Sequence, residues 1–329
     1  MVRIKDVANE AGVSTATVSR VLSNKPYVAE EIRQRVLDAI KKLDYRPNQV
    51  ARSLRSQQTT VLGLIVSDVC NPFFTDVSRA VEDCAYQKGY SVFLCNSDED
   101  EKKEYFYLQE MRAKNVAGII LSPTQKASEN FAMLGIDLPV VLYDRSVKNV
   151  DVDTIIIDNQ DSAIQLVNHL VENGYKHIAG VFCSVDTGYE RRWGFEKAIR
   201  KSGLESPTVI VTQPRIENGY AAAKKLLNEN PQTDAIFTSD NLILAGVMQA
   251  VNEMGLKIPN DVGLVSFDDV AWMTLVNPPI TVIRQPTDQI ARLAVDLIMQ
   301  RITNPKRPPL HVVLKGQMII RGSSAPRQK

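Results

Sequence analysis

Residues 4–22 read IKDVANEAGVSTATVSRVL, and this stretch decides the fold of the first part of the chain. Within Ile4–Ala11 the apolar residues recur at spacings of three and four, which places them on one face of a helix. Gly12 can take the left-handed backbone that ends such a helix, and Ser14 can cap a second one over Thr15–Leu22. Two helices joined by a short turn with glycine predict a helix-turn-helix unit.

A third helix is predicted over Glu30–Leu43, where Ile32, Val36 and Ile40 share one face. It would close a three-helix core and complete a DNA-binding domain over residues 1–46. A core of this size is only marginally stable by itself.

The second helix of a helix-turn-helix unit enters the major groove of DNA. Its outward residues here are Thr15, Ala16 and Ser19, with Arg20 one turn further on. Arg20 can bind a guanine through two hydrogen bonds, and Thr15 and Ala16 can contact bases, including a thymine methyl. The side chains expected at phosphates are Ser14, Thr17, Ser19 and Asn24. The alternative is a small helical bundle that exposes hydroxyl groups and has no DNA role.

The distribution of charge favours DNA binding. Residues 1–60 contain eleven Lys and Arg against six Asp and Glu, a local charge of +5. The formal net charge of the chain is +1, so the other 269 residues carry −4. A basic segment on a mildly acidic body is typical of a polyanion-binding head on a sensor. Chance variation between small domains is the competing explanation.

Several motifs in the first 60 residues form one signature. They are Ile4-Lys5-Asp6-Val7-Ala8, Ala11-Gly12-Val13-Ser14, Thr17-Val18-Ser19-Arg20-Val21-Leu22, Tyr45-Arg46-Pro47-Asn48 and Ala51-Arg52-Ser53-Leu54. In these residues, and over almost its whole length, the chain resembles the LacI/GalR family of sugar-responsive repressors. The resemblance implies a dimeric transcriptional repressor that binds a pseudo-palindromic operator in double-stranded DNA.

The segment 47–60 is expected to be a hinge helix and linker. Pro47 cannot continue the third helix, and a helix of about ten residues is marginal in water unless it packs on something. The resemblance implies that the two copies in a dimer fold on DNA and that Leu54 wedges into the minor groove. The hinge residues expected at the DNA are Asn48, Ala51, Arg52, Leu54 and Arg55. A flexible linker without a DNA role is the alternative.

From Val61 onward, apolar strands alternate with amphipathic helices, which predicts parallel sheets covered on both faces. A second series of this kind begins near Ser162. The fold class is therefore α/β, with two doubly wound lobes over 61–329, similar to periplasmic binding proteins. The expected N-lobe is about 61–160 plus 290–318, and the expected C-lobe is about 161–289 plus 319–329. The body helices are predicted to begin at Asp76, Lys102, Ala163, Glu190, Gly219, Leu242 and Thr287, with one more between the strands Ala117–Leu121 and Val140–Tyr143.

Ligands of such sheets bind at the carboxyl ends of the strands, so polar residues just after strands are the candidates for an effector site. These candidates are Asn71, Phe73, Phe74, Asp144, Arg145, Arg191, Asp240, Asp268 and Gln285. Aromatic faces beside carboxylates and guanidiniums suit a polyol, whose hydroxyls they can bind in pairs. The same positions align with ligand contacts in sugar-binding relatives, although Asp240-Asn241 replaces the commoner Asn-Asp. Ordinary helix capping or ion pairing could also explain each residue, and Phe73 could be core.

Other classes of protein fit the sequence less well. There is no glycine-rich phosphate loop, nucleophile elbow or metal-ligand cluster, so we expect no enzyme, no cofactor and no metal. The start lacks the apolar region of a signal peptide, and no apolar run is long enough to span a membrane. We therefore expect a cytoplasmic protein, nucleoid-associated when bound to DNA, and not a periplasmic sugar-binding protein without a regulatory role.

Two aspects of the regulation stay open. The effector could be a sugar, a sugar acid or a sugar phosphate, or a protein corepressor could act in its place. Closure of the lobes on an effector is expected to disturb the hinge and lower operator affinity, and the alternative is an effector that strengthens operator binding. The tail 322–329 has no leucine heptads, so a homodimer is expected, without a tetramerising coiled coil.

Overall fold

A computed structural model of the chain places four stretches well enough to be described. These are residues 2–22, 26–45, 59–125 and 138–326. The chain divides into two compact units, residues 1–59 and residues 60–329. The predicted hinge residues and Asn24 lie outside the described stretches, as does most of the segment in which a helix was expected before Val140.

The first unit is the predicted three-helix head. Its helices are α1 Ile4–Ala11, α2 Thr15–Leu22 and α3 Glu30–Lys42. Gly12 has φ 64° at the end of α1, which is the left-handed conformation expected of it. The Arg35 guanidinium of α3 donates to the Ala11 carbonyl of α1 at 2.6 Å, so a free carbonyl at the helix end is satisfied. The buried core consists of Val7, Ala8, Ala11, Val18, Val21, Val36 and Ala39.

The second unit alternates strands and helices. In chain order its strands are β1 Val61–Val66, β2 Ser91–Asn96, β3 Gly118–Leu121, β4 Val140–Tyr143, β5 Asp153–Ile157, β6 Ile178–Cys183, β7 Val209–Thr212, β8 Ala235–Thr238, β9 Gly263–Phe267, β10 Thr281–Arg284, β11 His311–Leu314 and β12 Gln317–Ile319. Its helices are α4 Pro72–Gln87, α5 Glu101–Ala113, α6 Asn159–Glu172, α7 Asp186–Lys201, α8 Ile216–Glu229, α9 Asn241–Glu253 and α10 Thr287–Thr303, with short 3₁₀ turns at Ala271–Thr274 and Gly322–Ser324.

The strands form two six-stranded sheets with the same winding. The first has the order β11-β5-β4-β3-β1-β2 and the second β12-β10-β9-β8-β6-β7. The pairings are parallel except for β10 with β12, which is antiparallel. In each sheet the strand order reverses beside its first strand, β1 or β6. Ligand crevices of doubly wound sheets open at this position, so the topology already locates a candidate site in each sheet.

The central strands are buried almost throughout, which confirms the reading of their apolar runs as parallel strands covered on both faces. Four strands were not predicted, namely β5, β10, β11 and β12. The last two are three or four residues long and partly exposed, so they carry no long apolar run to reveal them. Within the described stretches, no helix is both long and apolar enough to cross a bilayer.

Candidate functional site

The outer face of α2 and the turn before it carry six of the residues predicted to contact DNA. Ser14, Ala16 and Arg20 are exposed, while Thr15, Thr17 and Ser19 are partly exposed. Val18 and Val21 point the other way, into the core of the head. The Ser14 hydroxyl lies 3.0 Å from the Thr17 hydroxyl and accepts from the Thr17 amide at 3.2 Å, so it caps α2 as predicted. This face presents hydroxyls, one small side chain and one guanidinium.

In the second unit, one cavity of about 40 Å³ is walled by residues from both sheets. All nine residues predicted for the effector site lie on its wall, namely Asn71, Phe73, Phe74, Asp144, Arg145, Arg191, Asp240, Asp268 and Gln285. The wall also includes six residues that were not predicted from the sequence, namely Asp68, Glu99, Cys183, Val185, Thr187 and Pro214. Most of these follow the carboxyl end of a strand, as the topology requires.

Asp144 and Asp268 occupy equivalent places in the two sheets. Asp144 follows β4 with φ 70°, and its amide donates to the Ile155 carbonyl at 3.0 Å. Asp268 follows β9 with φ 68°, and its amide donates to the Ile283 carbonyl at 2.9 Å. The left-handed region is sparsely populated by residues other than glycine and recurs at functional sites, although Asp tolerates it better than most. The same backbone turn thus presents a carboxylate to the cavity from each sheet.

Arg145 is buried and paired on two sides. Its Nη1 and Nη2 donate to the two carboxylate oxygens of Glu99 at 2.8 and 2.6 Å, which is the strong two-bond arrangement. Its Nε lies 3.2 Å from Asp144 Oδ2. Burial lowers the pKa of Arg145, but the hydrogen bond and charge of Glu99 outweigh it and leave the pKa raised. The guanidinium is therefore permanently charged, and Glu99 satisfies its two terminal nitrogens, whereas Nε is buried beside Asp144 without a hydrogen bond.

Arg191 is held by neutral groups. Its Nε donates to Asn159 Oδ1 at 2.8 Å, and its Nη1 donates to the Ser239 carbonyl at 2.6 Å. Its guanidinium carbon lies 4.0 Å from the centre of the Phe267 ring, close enough for a cation–π contact. These contacts fix the orientation of Arg191 at the cavity.

Two of the predicted site residues also cap helices. The Asn71 side chain accepts from the Phe73 amide at the start of α4, and the Asp240 carboxylate accepts from two amides at the start of α9. Asn241, which together with Asp240 replaces the commoner Asn-Asp sequence, donates to Asp268 Oδ2 at 2.9 Å and to Asn71 Oδ1 at 2.8 Å. The Asp240-Asn241 order therefore places a carboxylate on the helix cap and an amide in contact with two residues of the cavity wall, Asn71 and Asp268. Phe73 and Phe74 are both nearly buried, so the core alternative for Phe73 is compatible with its place on the wall.

The acid groups of the site are perturbed by burial. Burial raises the pKa of Asp144 to about 6, although Arg145 and Arg191 oppose the shift. Burial also raises the pKa of Asp240 and brings that of Cys183 to about 12. Cys183 is thus a thiol at neutral pH and not a nucleophile. Among the described residues no group of His, Cys, Asp or Glu is arranged to hold a metal ion.

The cleft is closed by contacts that run from one lobe to the other. Arg215, before α8, lies 2.5 Å from Asp68 and 3.3 Å from Asp98, both of which belong to loops of the first sheet. The Gln125 side chain donates to the Ser184 carbonyl at 2.8 Å. With the bond between Asn71 and Asn241, these contacts hold the carboxyl ends of the two sheets together. Chemically, the site can bind hydroxyl groups from several directions.

Comparison with known proteins gives matches along the whole chain. A family profile described as bacterial regulatory proteins, lacI family, matches residues 3–48, and one described as periplasmic binding proteins and sugar binding domain of LacI family matches residues 59–315. The chain is 34% identical over 323 residues to the ribose operon repressor of Halalkalibacterium halodurans, covering 98% of this chain and 96% of that protein.

Two solved structures are also similar. The lac repressor dimer bound to operator and the anti-inducer ONPF superposes with a TM-score of 0.88 at 25% identity, covering 98% of this chain and 99% of that one. A periplasmic binding protein/LacI transcriptional regulator from Alkaliphilus metalliredigens complexed with D-xylulofuranose superposes with a TM-score of 0.72 at 29% identity, covering 80% and 99%.

Proposed function

The chain belongs to the LacI family of bacterial regulatory proteins, and we propose that it represses transcription by binding an operator as a dimer under the control of a small sugar-like effector. Membership of this family makes it a DNA-binding transcriptional regulator and not an enzyme. The proposal extends to carbohydrate-utilisation genes as targets and to association with the nucleoid when bound to DNA.

The observation that carries the effector half of the proposal is the meeting of nine predicted residues on one cavity wall. Carboxylates and guanidiniums from both sheets converge there beside the Phe73 and Phe74 rings. Ring faces suit the C–H surface of a sugar, and the charged groups suit pairs of adjacent hydroxyls. A solved relative holds D-xylulofuranose, and a relative over the full length is a ribose operon repressor, so sugars are the first ligands to test.

The size of the cavity bears on how an effector would act. About 40 Å³ admits a few water-sized molecules, well below the several hundred Å³ of small-molecule sites. A sugar therefore has to break the contacts that close the cleft and rearrange the wall of the cavity when it enters. A ligand that changes the separation of two lobes can be coupled to a distant segment, typically by ~1–3 kcal/mol. We propose the hinge as that segment.

The operator half of the proposal is supported by the exposed face of α2 and by the operator-bound dimer of the lac repressor. Arg20 is proposed to read a base, and the hydroxyls around it are proposed to contact phosphates. Two heads in a symmetric dimer would read the two halves of a pseudo-palindrome.

A thermal-shift screen of the full-length protein tests the effector half. The panel comprises pentoses, hexoses, sugar acids, sugar phosphates and purines. A ligand that binds only the folded protein raises the melting temperature by mass action. We expect a hit that is lost in Arg145→Ala and in Asp268→Ala. No hit across the panel, with operator binding intact, would contradict a small sugar-like effector and favour a protein corepressor.

A further inference from the structure

The wall of the effector cavity carries an excess of negative charge. Its acidic residues are Asp68, Glu99, Asp144, Asp240 and Asp268, and its basic residues are Arg145 and Arg191. With all of them ionised, five carboxylates face two guanidiniums, an excess of three negative charges. At the mouth of the cleft, Arg215 adds one positive charge and its second partner Asp98 adds one negative charge, so the excess stays at three. An anionic ligand would enter against this field.

Glu99 determines how much of the positive charge of Arg145 is available to a ligand. It binds both terminal nitrogens of Arg145 and is itself largely shielded from solvent, with 22% of its side chain exposed. Nη1 of Arg145 is also within 3.1 Å of the Pro123 carbonyl, and Nε faces Asp144. A carboxylate or phosphate could therefore take Arg145 only by displacing Glu99. Displacement would leave the partly buried Glu99 carboxylate without its partner and beside a second anion.

The backbone conformation of residues 97–100 places the Glu99 side chain beside Arg145. Asp98 and Glu99 are consecutive non-glycine residues in the left-handed region, with φ 55° and 56°. The Glu99 amide donates to the Ser67 carbonyl at 3.0 Å, and the Ser97 amide and hydroxyl both donate to the Val66 carbonyl. Asp100 caps α5 directly afterwards. Such sparsely populated conformations persist where the surroundings determine them, and they cluster at ligand sites.

We infer that Glu99 makes the cleft selective for uncharged polyhydroxyl ligands by neutralising Arg145, and that it excludes the corresponding sugar acids and sugar phosphates. The inference rests on the proposed function, because it concerns the ligand of the same cleft. Glu99 is a specificity residue in this account. Its role differs from that of Asp144 and Asp268, which are proposed to accept ligand hydroxyls.

The test measures affinities for matched pairs of ligands by isothermal titration calorimetry on the full-length protein. The pairs are D-ribose with D-ribonate, D-xylose with D-xylonate and D-glucose with D-gluconate, and ribose 5-phosphate is added as a phosphate probe. The wild type should bind the neutral member of at least one pair, and at least tenfold more tightly than the acid. Glu99→Gln should narrow that ratio by on the order of tenfold or more, because it removes one charge next to Arg145.

Two further variants separate charge from structure. Glu82→Gln makes the same change on the exposed side of α4 and not on the cavity wall, so the ratio should stay as in the wild type. Glu99→Asp keeps the charge and should keep the selectivity. Thermal unfolding shows whether each variant is folded, and the wild-type ratio tests the inference without any variant.

Tighter binding of an acid or phosphate by the wild type would overturn the inference. So would an equal loss of affinity for both members of a pair in Glu99→Gln, which would make Glu99 a support for Arg145 only. Either result would leave the sugar-responsive regulator intact as a proposal. Binding of neither class would overturn the inference together with the effector half of the proposed function.

Discussion

Asp144 shows what single residues contribute to this site. It sits in a left-handed turn at the end of β4, is buried, and faces Arg145. An ionised carboxylate is costly to bury, so a carboxylate in such a place indicates a role in binding. The same holds for Asp268 at the end of β9. The energetic cost of forming the cleft therefore falls on a few buried carboxylates, and for Asp144 the raised pKa makes that cost measurable.

The pH dependence of the free energy of unfolding should reveal the ionisation of Asp144. Its pKa is raised to about 6, so folding takes up a proton near this pH. The stability that it contributes is complete below about pH 4, the usual range for an unfolded Asp, and is lost as the pH rises through 6. Relative to Asp144→Asn, the free energy of unfolding of the wild type should fall by about 2–3 kcal/mol between pH 4 and 7.5. Urea unfolding of both proteins across this range measures the difference, and a pH-independent difference would contradict the raised pKa.

Arg20 makes the corresponding prediction for the head. It is exposed on α2, so Arg20→Ala should leave the fold intact and remove a base contact worth ~1–3 kcal/mol of discrimination. Fluorescence anisotropy with a selected operator and with single-base variants measures the loss. Lys41→Ala is the control, since it removes an equal charge from the exposed side of α3. Equal weakening on every sequence would mean that Arg20 contacts phosphate only.

At the scale of elements, helix pairs of the body pack with their backbones in contact. A methyl group on Gly246 of α9 would lie 2.0 Å from the Ile216 carbonyl oxygen of α8. A methyl group on Gly219 of α8 would lie 2.4 Å from the Ile243 carbonyl oxygen of α9. Each helix thus presents a glycine to the backbone of the other, and the close approach requires both.

Gly246→Ala should therefore destabilise the protein. In an unobstructed helix this change stabilises by up to about 1 kcal/mol, because glycine is the poorer helix former. Here the added carbon has no room, and overpacking costs typically ~1–3 kcal/mol. Thermal or urea unfolding measures whether Gly246→Ala lowers or raises the stability, with Gln249→Ala on the exposed face of α9 as the control. A stabilised Gly246→Ala protein would show that the helices separate at little cost.

The sequence predicted the presence of the helices better than the residues at which they begin. The helix α4 was predicted from Asp76 but begins at Pro72, because Asn71 caps it and the proline fixes its first turn. Likewise α7 was predicted from Glu190 but begins at Asp186. The first turn of α7, Asp186-Thr187-Gly188-Tyr189, lacks the apolar periodicity on which the prediction relied. Thr187 was missed as part of the site for the same reason.

The site residues that were predicted follow strands, a position that the sequence reveals. Glu99 was missed because it belongs to the acidic run 98–101, which has the composition of a solvated surface. Only the left-handed backbone of the run, held by the first sheet, turns Glu99 toward Arg145. Asp68 lies two residues after the end of β1, so the rule that selected Asn71 could have included it. Pro214 has no polar group, and nothing in its composition marks it.

For the whole molecule, the contacts that close the cleft lead us to expect an equilibrium between a closed form and an open form of the body. Arg215→Ala removes the ion pairs with Asp68 and Asp98 that join the two lobes. The open form should gain population, so small-angle scattering without ligand should give a larger radius of gyration for the variant. Arg192→Ala breaks a pair with Glu196 inside one helix and serves as the control. An unchanged scattering profile in Arg215→Ala would show that these ion pairs do not hold the cleft closed.

The central claim is that one chain couples operator binding to a small molecule. The measurement that tests it most directly is a titration of the full-length protein onto an operator selected from random double-stranded DNA, followed by anisotropy with and without the ligand found by thermal shift. We predict an inverted-repeat operator and a change in affinity of about five- to 150-fold on adding the ligand, which is lost in Asp268→Ala. Failure to select any specific sequence, or an operator affinity that the bound ligand leaves unchanged, would contradict the account.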